Sequence, residues 1–455
     1  MNVLLLAIDT LRADHLGCYG YGKPTSPALD RFARQGVRAA RFMAPGIPTH
    51  PSFTTLVTGQ HPIRHGIVAQ GSKQQLSHRT QTLAQLFLNA GYYTAAFDNL
   101  PYHKEHFARG YEMVVDSSRR RGCGLMVMCE EINTRVRQFL KHRAADREPF
   151  FGFVHYWDPH TPYWAPPRYR GLFYEGDPCD PAKHSLEALY EHPLGARWKD
   201  TWLKTVLKDL GYAEDATLTD ADFVSALYDQ EIRHIDDGLE SVFETLDATG
   251  LADETLVLVL GDHGECLVEH GIQFDHHGLY DENLHVPLLA RLPGALPAGR
   301  TVDALVRHLD VLPTLCEACG IAPPEPLDGK SAWGLFTGSR PGEVLAERLI
   351  SEECSWQMKW SLRDADHHFI LARQEDWYGS PMRELYDVKA DPLLTKNVAE
   401  ARPETVRELE RDLEGWIADR CKELNLPGDP LPAHGITMLD PKARRKARKR
   451  EGARA

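Results

Sequence analysis

Short runs of apolar residues, each stopped by a polar cluster, recur along the chain. "NVLLLAID" ends at Asp9 and Thr10, and "YYTAAFDN" ends at Asp98 and Asn99. "FFGFVHYWDPH" ends at His155, Asp158 and His160, and "ETLVLVLGDHG" ends at Asp262 and His263. Unbroken apolar runs of this length predict strands covered on both faces, the pattern of a parallel sheet. Between them lie stretches with helical spacing: "SPALDRFARQG", "TQTLAQLFLNAG" and "SALYDQEIRHIDDGLESVFETLDATG", the last closed by a glycine stop. The alternation predicts an α/β fold with a doubly wound, mostly parallel sheet over residues 1–344. Further on, "MKWSLRDADHHFILARQ" reads as hairpin strands and "PETVRELERDLEGWIADRCKEL" as an amphipathic helix. Residues 345–430 are therefore expected to form a small α+β subdomain. Residues 431–455, with the charge run "KARRKARKREGARA", are expected to be a basic, disordered tail.

Composition narrows the function classes. The chain has 455 residues, 42% hydrophobic and 26% charged, as an ordinary globular protein does. A net charge of −13 speaks against nucleic acid as the main partner. The opening apolar run stops at Asp9, too short for a membrane span, and no basic segment precedes it. It reads as a buried first strand, and a cytoplasmic protein is expected. Nine cysteines without a framework spacing fit a reducing compartment. "CEAC" at 316–319 sits in a helical run and reads as packing. A second copy of the chain is left open as a partner.

Ligands of doubly wound sheets bind beyond the carboxyl ends of the strands, so the polar clusters are expected to meet along one edge. Asp9, Asp262 and His263 are donors of the kind divalent metals take, and neighbouring buried carboxylates repel one another without a cation between them. Zinc, manganese, iron and calcium all stay open. The stretch "GIPTHPSFTTLVTG" then puts Thr49 at a helix start, where its hydroxyl is either a cap or, beside a metal, an activated nucleophile.

The segment from "NVLLLAIDTLRADHLGCYGYGKPTSPALDRF" to "GIPTHPSFTTLVTGQHPIRHG" resembles the opening of sulfatase-type enzymes of the alkaline phosphatase superfamily. "FVHYWDPHTPY", "GDHGECLVEHG", "HHGLYDENLHVPLL", "HLDVLPTLCEACGI", "LDGKSAWGLFTG" and "ELYDVKADPLLTKNVA" continue the resemblance in family order over almost the whole chain. The departures are informative. Where sulfatases carry Cys-x-Pro-Ser-Arg, whose cysteine becomes formylglycine, this chain reads Thr49-His50-Pro51-Ser52-Phe53. Asn99 falls where the family places a lysine, and the paired aspartates after the first strand become Asp9-Thr10.

Threonine is the nucleophile in phosphodiesterase, phosphonate-hydrolase and phosphoethanolamine-transferase relatives. The resemblance thus implies a metal-dependent hydrolase of small anionic phosphate esters or phosphonates. Its metal would be held by Asp9, Thr49, Asp262 and His263, and its intermediate would be a phosphothreonine. Catalytic or substrate-binding roles are expected for His160, His276 and His277, and substrate contacts for Asn99 and His155. A second ion roughly 4 Å away is expected as a variant, from Asp158, His160, His276 and His277. His270 and Asp275 are further candidates, whereas Asp236 and His234 read as structural. The alternatives are a formylglycine-independent sulfatase or sulfamidase, a phosphotransferase and, last, a non-catalytic binding protein. Residues 164–224, rich in aromatics and charge, are expected as a lid or insertion over the active edge. Arg170, Arg197 and Lys204 would hold the leaving group there, with packing or a subunit contact as the other role.

Overall fold

The computed structural model describes residues 1–120, 127–146, 148–192, 196–199 and 201–438. The main sheet contains β1 (Asn2–Ile8), β2 (Val37–Met43), β4 (Tyr93–Phe97), β5 (Met113–Val115), β6 (Phe150–Tyr156), β7 (Thr255–Gly261), β8 (His285–Val286), β9 (Leu288–Arg291) and β10 (Arg300–Arg307). Its order is β10-β2-β9-β7-β1-β6-β4-β5, with β8 paired to β2. Pairing is parallel except where β9 and β8 enter. A second sheet holds β3 (Gly46–Ile47), β11 (Leu349–Glu353), β12 (Lys359–Arg363), β13 (His367–Ala372) and β14 (Arg383–Asp387).

The unbroken apolar runs have the expected cause. Along β1, Leu4, Leu6 and Ile8 enter one core, while Val3, Leu5 and Ala7 enter another on the opposite face. β7 divides in the same way, Val257 and Val259 against Leu256, Leu258 and Leu260. Successive side chains of a strand face opposite ways, so a run apolar at every position needs helices on both faces. One face is covered by the long helix Ala221–Thr249 with Cys129–Asp146, the other by Thr49–Thr58 and Val311–Cys319. Truncating one of these fully buried leucines to alanine costs about 2–5 kcal/mol. Cys316 of the "CEAC" run is a buried, free thiol packed in that second core.

The two sheets are joined at one short strand. β3 pairs in parallel with β11, Gly46 opposite Glu352 and Ile47 opposite Glu353. The residues that lead into Thr49 thus belong to the sheet of the C-terminal subdomain.

Three expectations shift. The helix Pro430–His434 is started by Asp429, whose side chain accepts from Leu431 N (2.9 Å), and Leu431 is fully buried. Thr437 Oγ1 donates to Gln70 O (2.7 Å), so residues 431–438 are packed rather than tail. The Asp429-Pro430 start signal lies just ahead of the basic run. The run itself, from 439, lies outside the described residues. Within 164–224, Leu186, Leu203 and Leu218 are buried in the core shared with β1, so much of the insertion is packed structure. The helix expected after it starts earlier, at Ala221, capped by Asp220. Among the described residues, no helix is long and apolar enough to cross a membrane.

Candidate active site

Sheet register brings the first residues of the site level. Ile8 of β1 lies opposite both Tyr156 of β6 and Gly261 of β7. The next residues, Asp9 and Asp262, therefore leave neighbouring strands at one height. Asp262 Oδ1 accepts from Thr10 N (3.1 Å) and His263 N (2.7 Å). Thr10 adopts φ +54, a region that costs a β-branched residue of order 1–3 kcal/mol, and in it its amide meets that carboxylate. His263 Nδ1 donates to Gly264 O (2.9 Å), which fixes the tautomer and leaves the Nε2 lone pair toward the cluster. That Nε2 lies 3.6 Å from Asp9 Oδ1 and 3.4 Å from Asp262 Oδ2.

Thr49 opens the helix Thr49–Thr58, and its hydroxyl is not a cap. Oγ1 lies 3.4 Å from Asp9 Oδ2 and 3.2 Å from His263 Nε2. Ser52 ties this helix to the strand end, its Oγ donating to Asp262 O (2.6 Å). Asp9 Oδ1 and Asp262 Oδ2 are buried with no hydrogen-bond partner. Burial and the charge of Asp9 push the Asp262 carboxyl well above its ordinary range. Orphaned carboxylate oxygens around an imidazole lone pair are what a divalent cation satisfies, so Asp9, Asp262 and His263, with Thr49, fit the expected metal set.

Both ring nitrogens of His155 meet carboxylates. It donates from Nδ1 to Asp98 Oδ1 (2.8 Å) and from Nε2 to Asp9 Oδ2 (3.3 Å), and is wholly buried. Burial alone would strip its proton, but the two carboxylates override this and lift it to about 10. For Asp9, burial is likewise outweighed by the His155 hydrogen bond and the facing histidines, which hold it down to about 2. His155 thus orients a carboxylate from behind. Asn99 is also buried and accepts from Trp157 Nε1 (3.0 Å), so it steadies an indole.

The second set expected for an ion does not assemble. Asp158 turns away and accepts from Cys129 N (2.9 Å). Burial and neighbouring Glu231 push its carboxyl up to about 8. Its cluster partners are Glu231 and His234. His277 is wholly buried, with Nε2 2.8 Å from Asp275 Oδ2 and its ring against Trp356. His160 and His276 do meet, with ring centroids 5.0 Å apart, and His276 lies 4.9 Å from the ring of His263. His160 Nδ1 lies 2.6 Å from Thr161 O, leaving Nε2 for other partners.

Glu265 went unnoticed in the sequence. It is wholly buried, and Oε2 lies 3.7 Å from His276 Nδ1. The signal was present in "GDHGE", two residues past His263, where a carboxylate follows a glycine that holds the chain close. A Cβ on Gly264 would lie 1.8 Å from Glu282 O. Asp275 completes this group, while His270 pairs with Glu282 at 3.3 Å and stacks on Tyr280.

Trp356 of the subdomain lies against His277, and Tyr378 lies 5.8 Å from it. His192 of the insertion stacks on Tyr378 at 4.9 Å. Arg170 pairs with Asp209 inside the insertion, and Lys204 is exposed. The Arg197 side chain lies outside the described residues. As expected, Asp236 is structural and accepts from Ala28 N and Leu29 N, both at 2.8 Å.

A family model described as Sulfatase matches residues 1–321, and one described as N-sulphoglucosamine sulphohydrolase, C-terminal, matches residues 268–420. An N-acetylglucosamine-6-O-sulfatase of Bacteroides thetaiotaomicron is 24% identical over 87% of this chain and 82% of its own length. The multifunctional alkaline phosphatase superfamily protein PehA of Trinickia caryophylli is 26% identical over 76% of this chain and 79% of its own. Among solved structures, the phosphonate monoester hydrolase of Agrobacterium radiobacter superposes with a TM-score of 0.68 at 22% identity, covering 93% of this chain and 95% of that one.

Proposed function

The chain belongs to the sulfatase family of hydrolases, and on that premise we propose that it hydrolyses phosphate esters or phosphonates with Thr49 as the nucleophile. One observation carries the reading. The Thr49 hydroxyl stands 3.4 Å from Asp9 and 3.2 Å from His263, where the family's formylglycine cysteine is replaced. A threonine sulfate lacks the elimination route that a formylglycine adduct has, whereas water readily displaces threonine from phosphorus.

A divalent cation held by Asp9, Asp262 and His263 supplies, when bound, Lewis-acid stabilisation and a lowered hydroxyl pKa. Thr49 Oγ1, its proton lost to solvent, bonds to phosphorus as the bond to the leaving oxygen breaks. His276 or His160 gives that oxygen a proton. Water then attacks phosphorus, Thr49 Oγ1 departs, and the same imidazole takes up the proton of the water. Most of the work in phosphoryl transfer is positioning and charge stabilisation, in keeping with the number of imidazoles in the cleft.

The test is a panel of aryl phosphate monoesters, diesters, phosphonate monoesters and sulfates, assayed with Mn2+, Zn2+ and Ca2+. The expected result is highest kcat/KM on a phosphorus ester, falling about 1,000-fold or more in Thr49→Ala. Turnover of the sulfate alone, or wild-type rates in Thr49→Ala, overturns the reading.

A further inference from the structure

Away from the cleft, another group of donors gathers where β6 leaves the sheet. Asp158 lies just past the end of β6, Glu231 and His234 lie on the helix Ala221–Thr249, and Cys129 opens the helix Cys129–Asp146. The two helices run close together here, since a Cβ on Gly238 would lie 2.6 Å from Cys129 Sγ. Among the described residues, no hydrogen bond or ion pair joins this group to Asp9, Thr49, Asp262 or His263.

Glu231 is 3% exposed and His234 1% exposed. Glu231 Oε2 and His234 Nδ1 have no hydrogen-bond partner, and they stand 3.5 Å apart. That gap exceeds the reach of a charge-assisted hydrogen bond, about 2.7–2.9 Å. Two donors about 2.1 Å from a shared tetrahedral cation would lie about 3.4 Å from one another. Asp158 supplies a third donor, and the three ligand atoms lie within 4.8 Å of one another. Nearby guanidinium groups are engaged elsewhere, Arg168 with Glu130 and Arg233 with Asp237. Burial and the facing Glu231 push the Asp158 carboxyl up to about 8, the mark of two carboxylates with no cation between them.

The far side of His234 is arranged as a ligand's would be. Its Nε2 donates to Glu130 Oε2 (2.7 Å), and Glu130 Oε1 accepts from Arg168 (2.7 Å). A carboxylate on one ring nitrogen fixes the tautomer and leaves the lone pair of the other free, as in metal-bound imidazoles. Here the free nitrogen is Nδ1, on the side of Glu231.

We propose that Asp158, Glu231 and His234 Nδ1 bind a divalent cation at the exit of β6, apart from the hydrolytic cleft. Two carboxylates and one imidazole select a metal of the zinc, manganese or iron class. The ion ties the strand exit to the helix layer and so steadies the turn that brings His160 beside His276. Its role is structural, and the inference does not depend on which ester the cleft hydrolyses.

The site is tested without substrate. The full chain is stripped with a chelator, reloaded with Zn2+ and passed through gel filtration, and its zinc is counted by atomic emission. Wild type should hold one more Zn2+ per chain than Glu231→Gln or His234→Gln, whatever the cleft itself holds. In an Asp262→Asn background, which disables the cleft's own ligand set, Glu231→Gln should again lower the count by one. Circular dichroism identifies the folded variants, and Asp158→Asn, also one Zn2+ short, serves if neither of the others folds. A count equal to wild type in any folded variant of these three ligands overturns the proposal.

Discussion

The cleft has two sides, built by different means. On one, Asp9 and Asp262 leave adjacent strands whose register is fixed over the length of β1 and β7. On the other, Glu265 and Asp275 are brought together by a loop held through one short bridge, Cys266 to Asp275, with His270 and Phe274 at positive φ (56° and 54°). The first side is carried by the most buried part of the sheet. The second owes its shape to local contacts and to residues that reach in from the subdomain, such as Trp356. Chemistry common to a fold belongs where register cannot drift, and specificity where a loop can be altered without unfolding the rest.

The comparison breaks most sharply at Asp262. Asp262→Asn should cut kcat/KM on the best phosphorus ester by about 1,000-fold or more, equally for good and poor leaving groups. His276→Ala, on the loop side, should cost about 100-fold, and more as the leaving-group pKa rises, because a proton donor is lost. A leaving-group slope unchanged from wild type would remove His276 from that role.

His155 probes the support behind the strand side. His155→Gln should weaken Mn2+ binding about 10- to 100-fold by calorimetry. Its folded pKa is raised from 6.5 to about 10, so the stabilisation it gives is complete below the ordinary imidazole value. That stabilisation is then lost as pH rises through about 10. In chelated protein, the melting temperature of wild type should exceed that of His155→Gln near pH 6 and converge on it toward pH 10. A gap constant across that range would mean the ring carries no charge. The smallest effect is expected at Asp158, which faces Cys129 and Glu231 rather than the cleft. Asp158→Asn should change kcat/KM by no more than about two-fold, and a loss comparable to that of Asp262→Asn would place Asp158 in the cleft.

The strand-end ligands were legible because an unbroken apolar run both marks a two-faced strand and ends where the edge begins. The same logic failed after β6. Asp158 and His160 follow one strand end but fan out to opposite sides of it, and spacing carries no record of direction. Glu265 was hidden for a different reason. Whether a carboxylate is paired or orphaned depends on a partner ten positions on, across a bridge that the local pattern does not announce. The sequence marks His155 as a strand-end residue, but not that its two ring nitrogens lie against Asp98 and Asp9.

One joint between the sheets has a consequence for how such a protein can be cut or recombined. Gly46 and Ile47, just ahead of Thr49, are zipped to Glu352 and Glu353. A fragment ending near residue 344 would keep Asp9, Thr49, Asp262 and His263 but lose β11, the strand that pairs with the segment leading into Thr49. The N-terminal site and the C-terminal sheet of this chain are therefore physically one piece, however separable they look along the sequence.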